Sequence, residues 1–203
     1  IKGERYELIP WRDRFVIHTN TNGATDFTLM QAPLEAPDRA HWTPFVAHRP
    51  GHFIIGASVF RDHLAWIERK DVNNRILVLP FAEAGNADPR AVAREIAMPE
   101  EAFLLSLDGS YEYDTTTLRY GYQSPTTPRH WYDYDMRSGE TTLRKTQEVP
   151  SGHDPDAYVT RRLHATASDG AEVPITLLMR RDTPTDGSAP VLLYGYGSYL
   201  SLI

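Results

Sequence analysis

The sequence has no cysteine among its 203 residues, which excludes disulfides and thiolate metal sites alike. That lack fits a reducing compartment without requiring one, and a cytoplasmic location is the expectation. No apolar run approaches the roughly 18–20 residues that cross a bilayer, so no membrane partner is expected. There is no basic excess either, since the formal net charge is -6. A nucleic-acid binder normally shows a basic patch or stripe, so nucleic acid is not an expected partner. The start, Ile1-Lys2-Gly3-Glu4-Arg5-Tyr6, offers neither an initiator Met nor a signal peptide. With the equally abrupt Ser201-Leu202-Ile203, it is expected to be the interior of a longer chain.

Helix signals are scarce as well. What is present is a core-forming composition, 41% hydrophobic and 11% aromatic, cut by 15 prolines and 13 glycines into short β-rich runs. Arg14 to Thr19, Phe27 to Ala32 and Trp42 to Ala47 read as strands, with a turn at Asn20 to Gly23. A second group is Phe53 to Val59, His63 to Arg69, Arg75 to Phe81 and Val92 to Ala97, with a polar loop from Ala82 to Ala91. A third group is Ala102 to Leu107, Thr117 to Gln123, Trp131 to Asp135 and Thr141 to Gln147.

The grouping recurs. Asp13, Asp62 and Asp114 each precede the inner hairpin, 49 and 52 residues apart. Four strands in a period of about 40–50 residues is the signature of propeller blades, with a β-sandwich of coincidental spacing as the alternative. Three blades do not close a ring that needs roughly 4–8, so the repeat again implies a longer protein. The texture changes at Glu148 to Pro155, where two prolines and a glycine mark a boundary. Three regions follow: blades over 1–149, a linker over 150–157, and a second unit over 158–203. In that unit, Val159 to Ala167 and Val173 to Arg181 read as a hairpin. Val191 to Tyr194 then reads as a short, fully buried parallel strand that breaks into Gly195-Tyr196-Gly197. Antiparallel strands feeding a buried parallel one are how an α/β-hydrolase sheet begins.

Several chemistry-bearing groups have bland readings. Gly195-x-Gly197 after a strand fails as a dinucleotide fingerprint because position 200 is Leu200. His48 and His52 are separated by Pro50, which argues against a helix presenting both. His41, His63 and His130 stand singly, so neither a metal nor a cofactor is expected. Asp108, Glu112 and Asp114 read as a solvated acidic loop, or as a rim that steers cationic peptides. Trp131, Tyr132 and Tyr134 share a strand, where packing between blades is favoured over ligand stacking. On local pattern, Tyr196 is a packed turn aromatic.

One ordered series of motifs goes further. Thr126-Thr127-Pro128, Tyr132-Asp133-Tyr134-Asp135 and Lys145-Thr146-Gln147-Glu148-Val149-Pro150 are followed by Ala165-Thr166-Ala167-Ser168-Asp169-Gly170, Val173-Pro174-Ile175 and Leu193-Tyr194-Gly195-Tyr196-Gly197-Ser198-Tyr199. This series resembles the prolyl oligopeptidase family of serine peptidases, most closely its oligopeptidase B branch. The resemblance runs from about Phe15 onward and is strongest after Leu118. It implies the last three blades of a seven-bladed propeller, a hinge, and the first strands of an α/β-hydrolase domain. It implies a serine oligopeptidase that cleaves short peptides after Lys or Arg, with a prolyl specificity as the near alternative. The family's Ser-Asp-His triad lies downstream of the last motif, so by resemblance this stretch is inactive alone and partners the rest of its catalytic domain. A propeller serving only as an interaction module is the reading from a different class. Tyr196 matches the tyrosine whose phenol donates to the oxyanion in the family. Leu200, where relatives commonly carry a small residue, and His153, where they often carry an aromatic, depart from the pattern.

Overall fold

The computed structural model describes residues 2–86, 88–109 and 112–196. The first sheet is β1 (Tyr6–Trp11), β2 (Arg14–Thr19), β3 (Thr28–Pro33) and β4 (Thr43–Val46). The second is β5 (Phe53–Val59), β6 (His63–Lys70), β7 (Asn73–Pro80) and β8 (Arg94–Glu95). The third is β9 (Leu104–Leu107), β10 (Thr117–Gln123), β11 (His130–Asp135) and β12 (Thr141–Thr146). Within each sheet the strands lie in sequence order and pair antiparallel, which is the meander of a propeller blade. A separate two-stranded hairpin is formed by β13 (Tyr158–Thr166) and β14 (Glu172–Arg180).

Most of the expected strands are present, shifted by a residue or two. Two expectations fail. β1 was not anticipated, because Pro10 and the charged Glu7 interrupt its apolar pattern. As an edge strand of its sheet, β1 can carry a proline, since it bonds on one side only. The stretch Val191 to Tyr194 is not a buried strand. Val191 is 80% and Leu192 92% exposed, and no strand among the described residues runs beside them. A parallel strand is made by its neighbours, so apolar content alone does not form one. The loop from Ala82 to Ala91 also holds structure: a single helical turn, α1 (Pro89–Val92), capped by the Asp88 side chain on Arg90 N–H.

The two larger cores lie between sheets, and a smaller one of Ile17, Met30 and Ala32 lies within the first sheet. Trp11, Val16, Leu29 and Phe45 of the first sheet pack with Ile54, Leu64, Trp66 and Leu79 of the second. Ala65, Ile67, Ile76 and Val78, on the other face of the second sheet, pack with Leu105, Leu118, Tyr120 and Tyr134 of the third. The middle strands β6 and β7 are therefore apolar on both faces, which explains their near-continuous hydrophobic sequence.

The recurring aspartates have a physical role at these joints. Arg12, in the β1–β2 turn, donates to Asp62 Oδ1 at 2.7 Å and to the Arg61 carbonyl at 2.7 Å. Arg61, in the β5–β6 turn, pairs with Asp114 Oδ2 at 2.6 Å. Each guanidinium reaches from one blade to the aspartate at the equivalent turn of the next. Beneath the first clasp, Trp11 Nε1 donates to the Phe60 carbonyl at 2.7 Å in a buried bond.

One buried carboxylate ties the first two blades from within. Glu68 on β6 is 0% exposed and accepts from His52 Nδ1 at 2.9 Å, Trp66 Nε1 at 3.2 Å and Arg90 Nε at 3.2 Å. Burial alone would raise its pKa, but the bonds from His52, Arg90 and Trp66 outweigh it and hold the carboxyl below its usual range. Arg90 also donates to the Ala47 carbonyl, joining α1 to the link between blades.

Two consequences are measurable. Asp71 and Val72 form the two-residue β6–β7 turn with φ of 48° and 65°, a left-handed conformation that a β-branched side chain resists. Val72→Gly should stabilise the protein by about 1 kcal/mol and raise Tm by about 2–4 °C in a thermal melt. An unchanged or lower Tm would contradict the strain. Second, His63 is buried, with no partner for Nδ1 among the described residues, and burial lowers its pKa from the usual 6.5. Asp62 and Asp135 oppose that shift, while Arg137 and Arg94 reinforce it. The unfolded chain takes up this proton more readily, so stability is complete above about pH 6.5 and declines as pH falls below it. His18, also lowered by burial, adds in the same direction. Urea midpoints at pH 7.5 and 5.5 should differ, and His63→Gln should narrow the difference.

Candidate functional site

The end of the blades that carries the β6–β7 turn is where the β13–β14 hairpin docks. Arg162 on β13 is the centre of the contact. Its backbone N–H donates to Glu101 Oε2 at 3.1 Å, and its guanidinium donates to Asn73 Oδ1 at 3.1 Å and Thr176 Oγ1 at 2.6 Å. Asn73 in turn donates to the Glu101 carbonyl at 2.8 Å, so one side chain joins the second blade, the lead into the third, and the hairpin. Burial lowers the pKa of the Arg162 guanidinium, and the Glu101 charge opposes the shift.

A second knot lies beside it. Glu100 accepts from the hydroxyls of Tyr122, Thr126 at 2.9 Å and Thr127 at 2.7 Å. Burial pushes the Glu100 carboxyl up, but the hydrogen bonds from Ser124, Tyr122 and the two threonines win, and its pKa is lowered. Burial, with Glu100 beside it, pushes the Tyr122 phenol up. His153, in the segment between the third blade and the hairpin, bonds through Nε2 to the Thr126 carbonyl at 2.7 Å and stacks on Tyr158 at 5.9 Å. A histidine there still fills an aromatic's place and adds a polar bond.

The other candidates are resolved one by one. Asp108 pairs with Arg129 at 3.0 Å and the exposed Asp114 with Arg61 at 2.6 Å, so two of the three acidic-loop carboxylates have a cationic partner, and Glu112 is exposed. Gly121 lies under that pair, where a Cβ would come within 2.6 Å of Ser106 Oγ. Tyr134 is buried between blades and Tyr132 stacks on Tyr120 at 5.3 Å, as packing predicts. Trp131 instead lies under Arg129 and Lys145. His48 lies 3.7 Å from Asp26, and His52 is held by Glu68. No group of three or more His, Asp or Glu able to hold a metal occurs among the described residues. No helix among them is long and apolar enough to cross a membrane.

Tyr196 is 51% exposed, beyond the last strand, and its phenol bonds no group among the described residues. Gly197 and Leu200, which entered the sequence argument, lie outside the described residues.

The blades match a known family directly. The sequence model of the prolyl oligopeptidase N-terminal β-propeller domain matches residues 1–147. The chain belongs to the prolyl oligopeptidase family. Its relatives in that family include dipeptidyl aminopeptidase BI of Pseudoxanthomonas mexicana, 38% identical over 188 residues, covering 92% of this chain and 25% of the relative. Protease 2 of Moraxella lacunata is 27% identical over 197 residues, covering 97% of this chain and 27% of the relative. The chain thus spans about a quarter of the length of the curated relatives it matches. Among solved structures, oligopeptidase B of Leishmania major superposes with a TM-score of 0.85 at 31% identity, over 98% of this chain and 28% of that one. Oligopeptidase B of Trypanosoma brucei, in a closed form with covalently bound antipain, gives the same TM-score at 30% identity, over 98% and 28%.

Glu100, Glu101 and Arg162 were not anticipated from sequence. Thr126-Thr127 was noticed as a motif, and its hydroxyls are what point to Glu100. Arg162→Ala removes the bonds to Asn73 and Thr176 and should free the hairpin from the blades. Limited proteolysis should then cut within 148–157 several-fold faster, with the melting of the blades unchanged. Equal cutting rates would show that the hairpin is held by other contacts.

Proposed function

We propose that this chain is part of a serine oligopeptidase that hydrolyses short peptides after Lys or Arg. In this reading, residues 1–149 are blades of a seven-bladed propeller, 150–157 the hinge, and 158–203 the first strands of an α/β-hydrolase domain. The observation that carries it is the likeness to two oligopeptidase B structures over 98% of the chain. A serine hydroxyl attacks the peptide carbonyl while a histidine takes its proton, and an aspartate orients that histidine. The tetrahedral intermediate places negative charge on the former carbonyl oxygen, and the Tyr196 phenol donates a hydrogen bond to it. The intermediate collapses, the histidine returns the proton to the leaving amine, and water then releases the acyl group. A donor of this kind contributes about 3–4 kcal/mol to the barrier. The propeller limits access to peptides small enough to pass it.

A second reading concerns specificity. The 38% identity to a protein named a dipeptidyl aminopeptidase favours release of dipeptides from a free N-terminus. The full-length protein distinguishes the readings when assayed on blocked arginyl, blocked prolyl and free-amino dipeptidyl substrates. Cleavage of the blocked arginyl substrate is expected. Preference for the free-amino substrate selects the second reading, and no hydrolysis of any of the three removes the peptidase. Tyr196→Phe should lower kcat about 10²–10³-fold with an unchanged Tm. An unaltered kcat would exclude the oxyanion role.

A further inference from the structure

A cavity of about 430 Å³ lies where the first blade meets the second, within the size range of small-molecule sites. Its walls come from β1 and β5, the first strands of their sheets, which lie against one another. Rings form its floor. His18 stacks on Phe27 at 4.6 Å, and Phe27 meets Phe53 edge-on at 5.5 Å. Arg5 and Glu7, of opposite charge, stand exposed at its edge, and Arg69 is engaged within the protein. Charge therefore does not select what enters. The group that does is the imidazole.

The fold leaves that imidazole one acceptor. His18 Nε2 lies 2.9 Å from the Ile54 carbonyl oxygen, which only accepts, so Nε2 carries the proton. Burial lowers the His18 pKa, while the bond to Ile54 and the charge of Glu7, its partner across the β1–β2 ladder, oppose the shift. The ring is thus neutral at pH 7, and its Nδ1 presents a lone pair. That nitrogen bonds no group among the described residues and, unlike Nδ1 of His63, is not sealed by burial. The backbone opens the place further. The β5–β6 register shifts between Ile54 and Gly56, so Ile55 is the extra residue of a bulge. A bulge re-aims a side chain, and bulges are over-represented next to active sites. Ile55 lines the cavity and stays 38% exposed, although isoleucine is among the residues most often buried.

We infer that this cavity binds a tyrosine or tryptophan side chain of a short peptide, with the ring against Phe27, Phe53 and Ile55 and its O–H or N–H donating to His18 Nδ1. An aromatic ring buries a large apolar area and meets other rings edge-on or offset. A phenol or indole donor also needs a partner once buried, and a neutral imidazole nitrogen supplies one. Phenylalanine fits the same walls but leaves Nδ1 unpaired, so the site prefers the ring that carries a donor. The place suits a peptide. Phe53 opens β5 opposite Arg69, near the end of β6, and the turn at Asp71-Val72 leads to Asn73, which Arg162 bonds. The cavity thus lies at the end of the blades where the hairpin docks. That the side chain belongs to a substrate rests on the reading of the protein as a peptidase for short peptides. The choice of ring and donor rests on the cavity alone.

The test uses the full-length protein and uncharged probes: N-acetyl-tyrosinamide, N-acetyl-phenylalaninamide and N-acetyl-O-methyltyrosinamide. Affinities are read by ligand-observed NMR titration at neutral pH. The tyrosine probe should bind about three- to tenfold more tightly than the phenylalanine probe, the worth of one net hydrogen bond. The O-methyl probe keeps the oxygen but has no proton to donate, and should lose that advantage. His18→Phe keeps a ring on Phe27 and should erase the difference between tyrosine and phenylalanine. Ile55→Trp fills the cavity from an exposed bulge position and should weaken every probe. Equal affinity for tyrosine and phenylalanine, an O-methyl probe bound as tightly as tyrosine, or a preference that survives His18→Phe overturns the site. Saturation by none of the probes also overturns it. A blocked arginyl substrate assayed on the same preparation separates the two readings. Tyrosine preference without hydrolysis removes the peptidase alone, and hydrolysis without the preference removes the site alone.

Discussion

Every blade in this molecule depends on a neighbour to cover a face. A blade is one repeat unit, and a repeat unit does not bury its apolar face alone. Here the second sheet is covered on both sides, and β6 and β7 are the most thoroughly buried strands. The Arg12–Asp62 and Arg61–Asp114 clasps are partly exposed ion pairs, worth little energy singly. Their contribution is registration: they hold equivalent turns level so that the apolar faces meet in step. The buried Glu68 carboxylate does the same from inside, accepting from His52, Trp66 and Arg90.

The blade repeat was legible because propeller strands are local meanders, and each leaves a period-2 pattern between turns. The aspartates at 13, 62 and 114 marked it correctly, although the sequence alone does not say that two of them are partners of the preceding blade's arginines. What was illegible is non-local. Glu100 and Glu101 look like an ordinary acidic pair, and their roles depend on Thr126, Thr127 and Arg162, which lie more than 25 residues away. β1 was hidden by Pro10. The opposite error occurred at Val191 to Tyr194, where apolar composition suggested burial but strand formation requires neighbours.

The family motifs divide into two kinds. Thr126-Thr127 and Tyr132 to Asp135 are structural: they anchor the last blade and its exit, through Glu100, His153 and the Tyr120–Tyr132 stack. The motif around Tyr196 makes no comparable contact among the described residues.

The clasp between blades also has a polarity. Each arginine-aspartate pair of neighbours in sequence acts as a head-to-tail connector: the arginine reaches forward and the aspartate receives from behind. Such a heterologous joint has no intrinsic stop, and the number of units it links is set by the angle between sheets. At the third blade the connector changes. Tyr113 stands where Arg12 and Arg61 stand in the earlier ones, and that blade receives the Arg61 guanidinium at Asp114. Arg137, from the β11–β12 turn, points back to Asp62 instead. The forward relay therefore runs through two joints, and Asp62 of the second blade is met by an arginine from each neighbouring blade.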